Sequence, residues 1–333
     1  MTPRRRIIPI FVPHAGCPNN CVFCNQKRIS GSLLPASGQT VRDALANIEN
    51  GAGFELAFYG GSFTAVSASI QEELLSAAQP HLERGAIGVI RVSTRPDAAD
   101  AAALSRLERF GVKTVELGAQ SMCDEVLALS GRGHTAADTV RAASAVKESG
   151  FALILQMMTG LPGSSAERDL RTAEQIVRVR PDGVRIYPTV VIRDTPLEEF
   201  WKKGTYKEHT VKDAIEICSR ILPLFESAGI PVIRLGLNPT EELSGGAAVA
   251  GAYHPALGEL VRSRVLRRRM EELLSGIRPG STAVFCVPPR QLSAAVGQHR
   301  ENLSTLKEQY RLKEIRIRPA ASDADRIELQ IIP

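Results

Sequence analysis

The chain of 333 residues is 44% hydrophobic and 23% charged, a balance that excludes a disordered tail protein, a collagen-like fibre and a disulfide miniprotein. Its 41 lysines and arginines stand against 36 acids, a net charge of +5, too mild alone to define a nucleic-acid binder. No apolar run reaches the roughly 18 residues that a membrane span needs, so no membrane partner is expected.

In chain order, residues 7–12 follow Arg4-Arg5-Arg6 and are interrupted by Pro9. They read as a buried strand rather than as the uninterrupted core of a signal peptide, which points to a cytoplasmic protein. Further strands are expected at residues 54–59, 88–93, 114–117, 152–158 and 183–187, with helices at 40–50, 67–84, 98–110, 136–149 and 166–178. Strand–helix alternation of this kind implies parallel strands joined by right-handed crossovers, in a partial TIM-type barrel or a doubly wound sheet. A helix at 210–228 and a seventh strand at 231–235 follow. Residues 236–253, rich in glycine and alanine, read as an ordered loop or linker. A basic helix comes next, carrying Arg262, Arg264, Arg267, Arg268 and Arg269. The tail reads as a strand (282–287), one helix (290–310) and two strands (314–318 and 326–332). The expected division is a barrel over 1–235, a linker loop and basic helix over 236–275, and a small α/β extension over 276–333. Residues 262–333 hold 14 Lys/Arg and 8 Asp/Glu, so the whole positive excess lies there. Such a segment is either an ordinary solvated surface or a surface that contacts phosphates.

Six cysteines make a poor disulfide framework in a chain of this length. Cys123, Cys218 and Cys286 are scattered and read as small buried hydrophobes. Cys17, Cys21 and Cys24 fall within eight residues, in the spacing C-x3-C-x2-C just after the first strand. With His14 as a fourth ligand they could close a structural zinc tetrahedron. On a [4Fe–4S] cluster, three thiolates instead leave one iron open to a ligand.

Phe23 before Cys24 completes the form C-x3-C-x-aromatic-C, which resembles the cluster loop of the radical S-adenosylmethionine (radical SAM) superfamily. Other segments resemble the same superfamily. Phe58-Tyr59-Gly60-Gly61-Ser62-Phe63-Thr64 is similar to the glycine-rich motif that binds the SAM amino group. Val115-Glu116-Leu117-Gly118-Ala119-Gln120-Ser121 resembles a segment whose glutamine contacts the ribose. Gly131-Arg132-Gly133-His134 resembles a turn whose arginine meets the methionine carboxylate, and Gln156 opens a fifth-strand motif that runs to Gly163. The segments resemble most closely the branch holding oxygen-independent coproporphyrinogen oxidase and the catalytic subunit of Elongator, over about residues 7–235, with a weaker likeness at 252–260. Two departures stand out. Ser93 occupies the position after the third strand where those families often carry a glutamate, and Gln156 stands where the coproporphyrinogen enzyme has an acid. No acetyltransferase segment is recognisable in these 333 residues.

The resemblance implies an α/β fold built on a partial TIM-type (β/α)6 barrel with a small C-terminal α/β extension. It implies a [4Fe–4S] cluster on Cys17, Cys21 and Cys24, and SAM held by Phe23, Gly60, Gly61, Ser62, Ser93, Gln120, Arg132 and Gln156. Independently of the resemblance, residues 17–24, Gly60 and Gly61, Ser93 and Thr94, Gln120, residues 156–160 and Tyr187 fall at or just beyond the C-terminal ends of predicted strands, where parallel barrels build their active sites. The implied activity is reductive cleavage of SAM to a 5′-deoxyadenosyl radical, with tRNA as the substrate partner and a one-electron donor such as ferredoxin or flavodoxin. The alternatives are a radical enzyme acting on a small tetrapyrrole-like metabolite, or a non-enzymatic haem or metal carrier.

Overall fold

The computed structural model describes residues 6–12, 21–25, 36–51, 53–320 and 326–332. Cys17 and His14 lie outside the described residues.

Seven parallel strands form one sheet in the order β1 to β6 and then β8. They are β1 (Ile7–Phe11), β2 (Phe54–Tyr59), β3 (Ile87–Thr94), β4 (Val112–Gln120), β5 (Ala152–Thr159), β6 (Gly183–Pro188) and β8 (Val232–Leu235). The sheet curls into a half-barrel, as the partial TIM-type expectation requires, and the strand at 231–235 is its seventh member. The crossover helices among the described residues are α1 (Gly38–Leu45), α2 (Ala68–Glu83), α3 (Ala101–Arg109), α5 (Ala136–Glu148), α6 (Ala166–Val179) and α8 (Val211–Ser227). Each begins at a serine, threonine or aspartate whose side chain accepts a hydrogen bond from the first turn: Ser37, Ser67, Asp100, Thr135, Ser165 and Thr210. These oxygens satisfy amide groups that a helix start leaves without a partner.

Side chains alternate across each strand. One set, including Leu56, Phe58, Ile90, Val92, Val115, Leu117, Leu153, Leu155, Val184 and Ile186, packs against the helices in the main core. The opposite set lines the inside of the half-barrel and carries the polar chemistry.

Three local expectations are corrected. Residues 236–253 are not only loop or linker: Ala248–Gly251 forms β9, antiparallel to β7 (Val190–Ile192), and the two make a separate ladder. Gly251 (φ +94) is needed there, because a Cβ would stand 2.9 Å from the Thr189 carbonyl oxygen. The short helices α4 (Asp124–Leu129) and α7 (Pro196–Lys202) were absent from the sequence pattern. The expected single helix at 290–310 breaks at Gly297 (φ 78, ψ 163) into α10 (Leu292–Val296) and α11 (Glu301–Gln309). In the tail β10 (Thr282–Val287) lies between a parallel β11 (Glu314–Pro319) and an antiparallel β12 (Glu328–Ile332).

The basic helix α9 (Leu257–Leu273) joins the two parts of the molecule. Val261 and Val265 bury in the half-barrel core, while Leu266 and Met270 bury with Ala283, Phe285 and Leu306 of the tail. Among the described residues no helix is long and apolar enough to cross a membrane.

Candidate active site

The site is built at the C-terminal ends of the parallel strands. Cys21 is buried, and the Cys24 amide donates to its carbonyl at 3.0 Å, turning the chain so that both thiols belong to one short loop. That loop is held from two sides. The Val22 amide donates to Ser130 O just after α4 (3.1 Å), and the Leu197 amide at the start of α7 donates to Val22 O (2.8 Å). Asn25 Nδ2 donates to Arg193 O at 3.2 Å. Phe23 packs between two small apolar clusters, one with Val126, Met158 and Leu161 and the other with Val191, Leu197 and Tyr206. The segment from β7 to α7 therefore clasps the cysteine loop.

Arg132 follows α4 and is buried. Its Nη2 donates to Gly118 O at 2.7 Å, and its Nη1 reaches Cys21 Sγ at 3.4 Å. The sequence resemblance implies a carboxylate partner for this arginine; the structure puts its guanidinium against a sulfur of the cysteine loop. Gln120 ends β4 at φ +63, in the left-handed region that residues other than glycine rarely adopt. Backbone strain of this kind is concentrated at functional sites. Gln156 on the next strand donates to Gln120 Oε1 at 3.3 Å. Gly60 (φ +91) closes β2, where a Cβ would meet the Phe11 ring at 3.2 Å. Gly61 follows it, half-buried. Ser93, half-buried, is the penultimate residue of β3. Ser62 is spent internally: its hydroxyl pairs with Thr94 Oγ1 at 2.8 Å and accepts from the Arg95 amide at 3.2 Å. Thus Cys21, Cys24, Phe23, Arg132, Gln120 and Gln156 are joined by direct contacts or shared neighbours, and Gly60, Gly61 and Ser93 sit at the same strand ends. Cys17 lies outside the described residues.

Below this rim the inner face carries a ladder of charges that the sequence reading missed. Arg91 pairs with Glu55 at 2.6 Å and Glu116 at 3.4 Å, and Arg185 pairs with Glu116 at 3.0 Å. Arg185 also donates to the hydroxyls of Tyr59 (2.8 Å) and Tyr187 (3.2 Å). All four charged residues are buried. Burial pushes the Tyr59 phenol up to about 12, so it stays a neutral donor and acceptor. A charge placed inside each of the runs FELAFY, IGVIRVST, VKTVELGAQ and GVRIYP, on the same alternation, is the sequence signal for this ladder.

Two grooves of about 590 and 580 Å³ lie on either side of His209, beside the loop after β5. Tyr206 and His209 cover Gly160 there, through Tyr206 OH donating to Gly160 O at 2.7 Å and a 3.2 Å contact between His209 Nε2 and Thr159 Oγ1. Neither lining includes Cys21, Cys24, Gln120 or Arg132.

The donor set fits an iron–sulfur group. The soft sulfurs of Cys21 and Cys24 sit in one turn, the donor type that iron–sulfur groups take, and a guanidinium N–H lies against one of them.

Family profiles agree with this geometry. The Radical SAM superfamily matches residues 11–176 and the Radical SAM C-terminal domain matches residues 181–267. The chain belongs to the radical SAM superfamily of enzymes. It is 39% identical over 131 residues to the tRNA uridine(34) acetyltransferase of Methanocaldococcus jannaschii, covering 38% of this chain and 24% of that one. Human Elongator complex protein 3 is 38% identical over 138 residues, covering 40% and 25%. The match therefore spans about a quarter of the length of these curated relatives. Among solved structures, Methanocaldococcus infernus Elp3 with an N-terminal deletion superposes with a TM-score of 0.63 at 24% identity, over 79% of this chain and 63% of that one. Coproporphyrinogen III oxidase (HemN) from Escherichia coli gives 0.51 at 17% identity, over 68% and 54%. At these identities the two structures speak for the fold.

Proposed function

We propose that the chain is a radical SAM enzyme that modifies a tRNA base. Cys17, Cys21 and Cys24 hold a [4Fe–4S] cluster, and Phe23, Gly60, Gly61, Ser62, Ser93, Gln120, Arg132 and Gln156 form the surroundings of SAM. When bound, cluster and SAM supply, on one-electron reduction by a ferredoxin- or flavodoxin-like donor, a 5′-deoxyadenosyl radical that takes a hydrogen atom from the substrate. The observation that carries the reading is the convergence on one strand-end rim of a two-sided cysteine clasp, the left-handed Gln120 and the buried Arg132.

The residues of this chain do the rest. Gly60 lets backbone approach a ligand closely, because no Cβ intervenes. Gln120 offers an uncharged donor and acceptor to the ribose, and Ser93 and Gln156 stand where related enzymes carry acids. Phe23 and the β7–α7 clasp shield the cysteine loop from water.

The ladder inside the half-barrel bears on the substrate. Its two guanidiniums are neutralised by Glu55 and Glu116, and Arg234 donates to Gly236 O and Leu237 O. A polycarboxylate such as a tetrapyrrole acid needs unpaired cations in its chamber; a neutral heterocycle needs phenols and carboxamides. Because the two ladder guanidiniums are already neutralised, the phenols of Tyr59 and Tyr187 and the carboxamides of Gln120 and Gln156 suit a neutral heterocycle, and the tRNA-acting names of the relatives agree with it.

Anaerobic reconstitution tests the proposal. The protein should take up about four irons per chain, as one such cluster holds, and convert SAM to 5′-deoxyadenosine under a strong reductant. Cys21→Ala should lose both. A colourless protein holding one zinc, or SAM cleavage that survives Cys21→Ala, would overturn the reading.

A further inference from the structure

Arg132 has a second role that the resemblance does not assign to it. The backbone of Arg132 is fixed by its amide donating to Leu127 O at 3.0 Å, and its guanidinium makes two contacts, Nη2 donating to Gly118 O at 2.7 Å and Nη1 reaching Cys21 Sγ at 3.4 Å. Arg132 is 6% exposed and Cys21 7%. Opposite charges interact far more strongly at such a buried site than in water. A Cβ at position 118 would stand 3.0 Å from Gln120 Nε2 and 3.3 Å from Arg132 Nη2, so glycine there leaves room for both side chains beside β4.

We infer that Arg132 is a positioning residue that sets the reduction potential of the cysteine-held centre through its contact with Cys21 Sγ. This rests on the [4Fe–4S] reading above. Reduction adds one electron, delivered by the external one-electron donor, and forms or breaks no bond at the protein. The reduced state is more negative by one charge. A fixed cation 3.4 Å from one of its sulfur ligands stabilises the reduced state more than the oxidised one. Hydrogen bonds to the sulfurs, net charge and solvent exposure are the levers by which proteins tune such potentials. Two of the three, a donor and a charge, are supplied here by one side chain. The resemblance implies that the same guanidinium also meets the methionine carboxylate. The two roles are separable because only one of them requires SAM.

The test is a redox titration, monitored by electron paramagnetic resonance, of the anaerobically reconstituted full chain without SAM. Native protein is compared with Arg132→Met, which removes the charge, and Arg132→Lys, which keeps it. The ratio of reduced to oxidised centre at a fixed potential should fall about tenfold in Arg132→Met, equivalent to a shift of about 59 mV to lower potential for one electron. Arg132→Lys should stay nearer the native value. If Arg132→Met fails to retain iron while Arg132→Lys retains it, the requirement for the charge is supported by another route. An iron-replete Arg132→Met with the native potential, an equal shift in both variants, or loss of iron from both, overturns the inference. Native protein that takes up no iron would instead defeat the cluster reading, a separate outcome.

Discussion

At the scale of single residues, two buried ionisable groups near the rim oppose each other. Burial, and then the neighbouring Arg132 charge, pushes His134 down to about 4, while its Nε2 lies 3.2 Å from Ala119 O. Burial pushes Asp169 up to about 6, against hydrogen bonds from Ser164 and the Gly160 amide. For His134 the unfolded chain binds more protons between about 4 and the ordinary histidine value, so its contribution to stability rises with pH there. For Asp169 the folded state binds more protons between the ordinary aspartate value and about 6, so its contribution falls with pH. A difference of one proton corresponds to about 1.4 kcal/mol per pH unit, and across pH 4–6 the two slopes cancel. Relative to native protein, His134→Gln should therefore lose stability as pH rises from about 4 to 6, and Asp169→Asn should gain it. Urea midpoints measured at pH 4, 5 and 6 check both signs.

At the scale of elements, the strands are coupled through the inward charges as well as through backbone pairing. Glu116 of β4 serves Arg91 of β3 and Arg185 of β6 at once. Removing one member of a buried ion pair leaves uncompensated charge, at a cost of roughly 3–5 kcal/mol, whereas replacing both members with apolar groups is often neutral. Glu116→Leu should lower stability to urea by an amount in that range, and Glu116→Leu with Arg185→Leu should recover much of it. Equal instability in the single and double variants would show that packing, not charge, accounts for the loss. The elements also show where local pattern sufficed. β2 and β10 fall on the expected residues because β-branched and aromatic runs end at clear turn signals. β9 was missed because Ala-Val-Ala-Gly has little strand propensity and owes its conformation to pairing with β7. The 290–310 helix was drawn too long because one glycine in a helical pattern does not reveal that the chain reverses there.

At the scale of the whole molecule, the basic helix α9 contributes less free charge than its composition suggests. Arg264 pairs with Glu216 and Glu271, Arg267 with Glu271 and Glu301, and Arg269 with Glu226. Among the described residues Arg262 and Arg268 have no ion pair, and Arg268 opens onto the 580 Å³ groove. If α9 contacts tRNA, as the proposed function allows, those two carry the contact. Arg262→Glu and Arg268→Glu should each weaken tRNA binding and reduce the slope of log affinity against log salt by about 1. Arg264→Glu should act first on stability, by uncoupling α9 from α8. Affinity indifferent to salt and to both charge reversals would remove α9 from the interface.

The chain's local patterns were enough to reveal the strand–helix alternation, the cysteine triplet and the glycine and glutamine motifs at strand ends. These depend on spacing over a few residues, which is how hydrophobic periodicity, turn chemistry and metal-ligand loops are written. Folding was needed to bring Arg132 to Cys21 across 111 positions and Arg185 to Tyr59 across 126. It also lays the β7–α7 segment over the cysteine loop and decides which arginines of α9 remain unpaired. Such contacts arise from the curl of the sheet and the packing of distant elements. A residue's type and its near neighbours do not specify them.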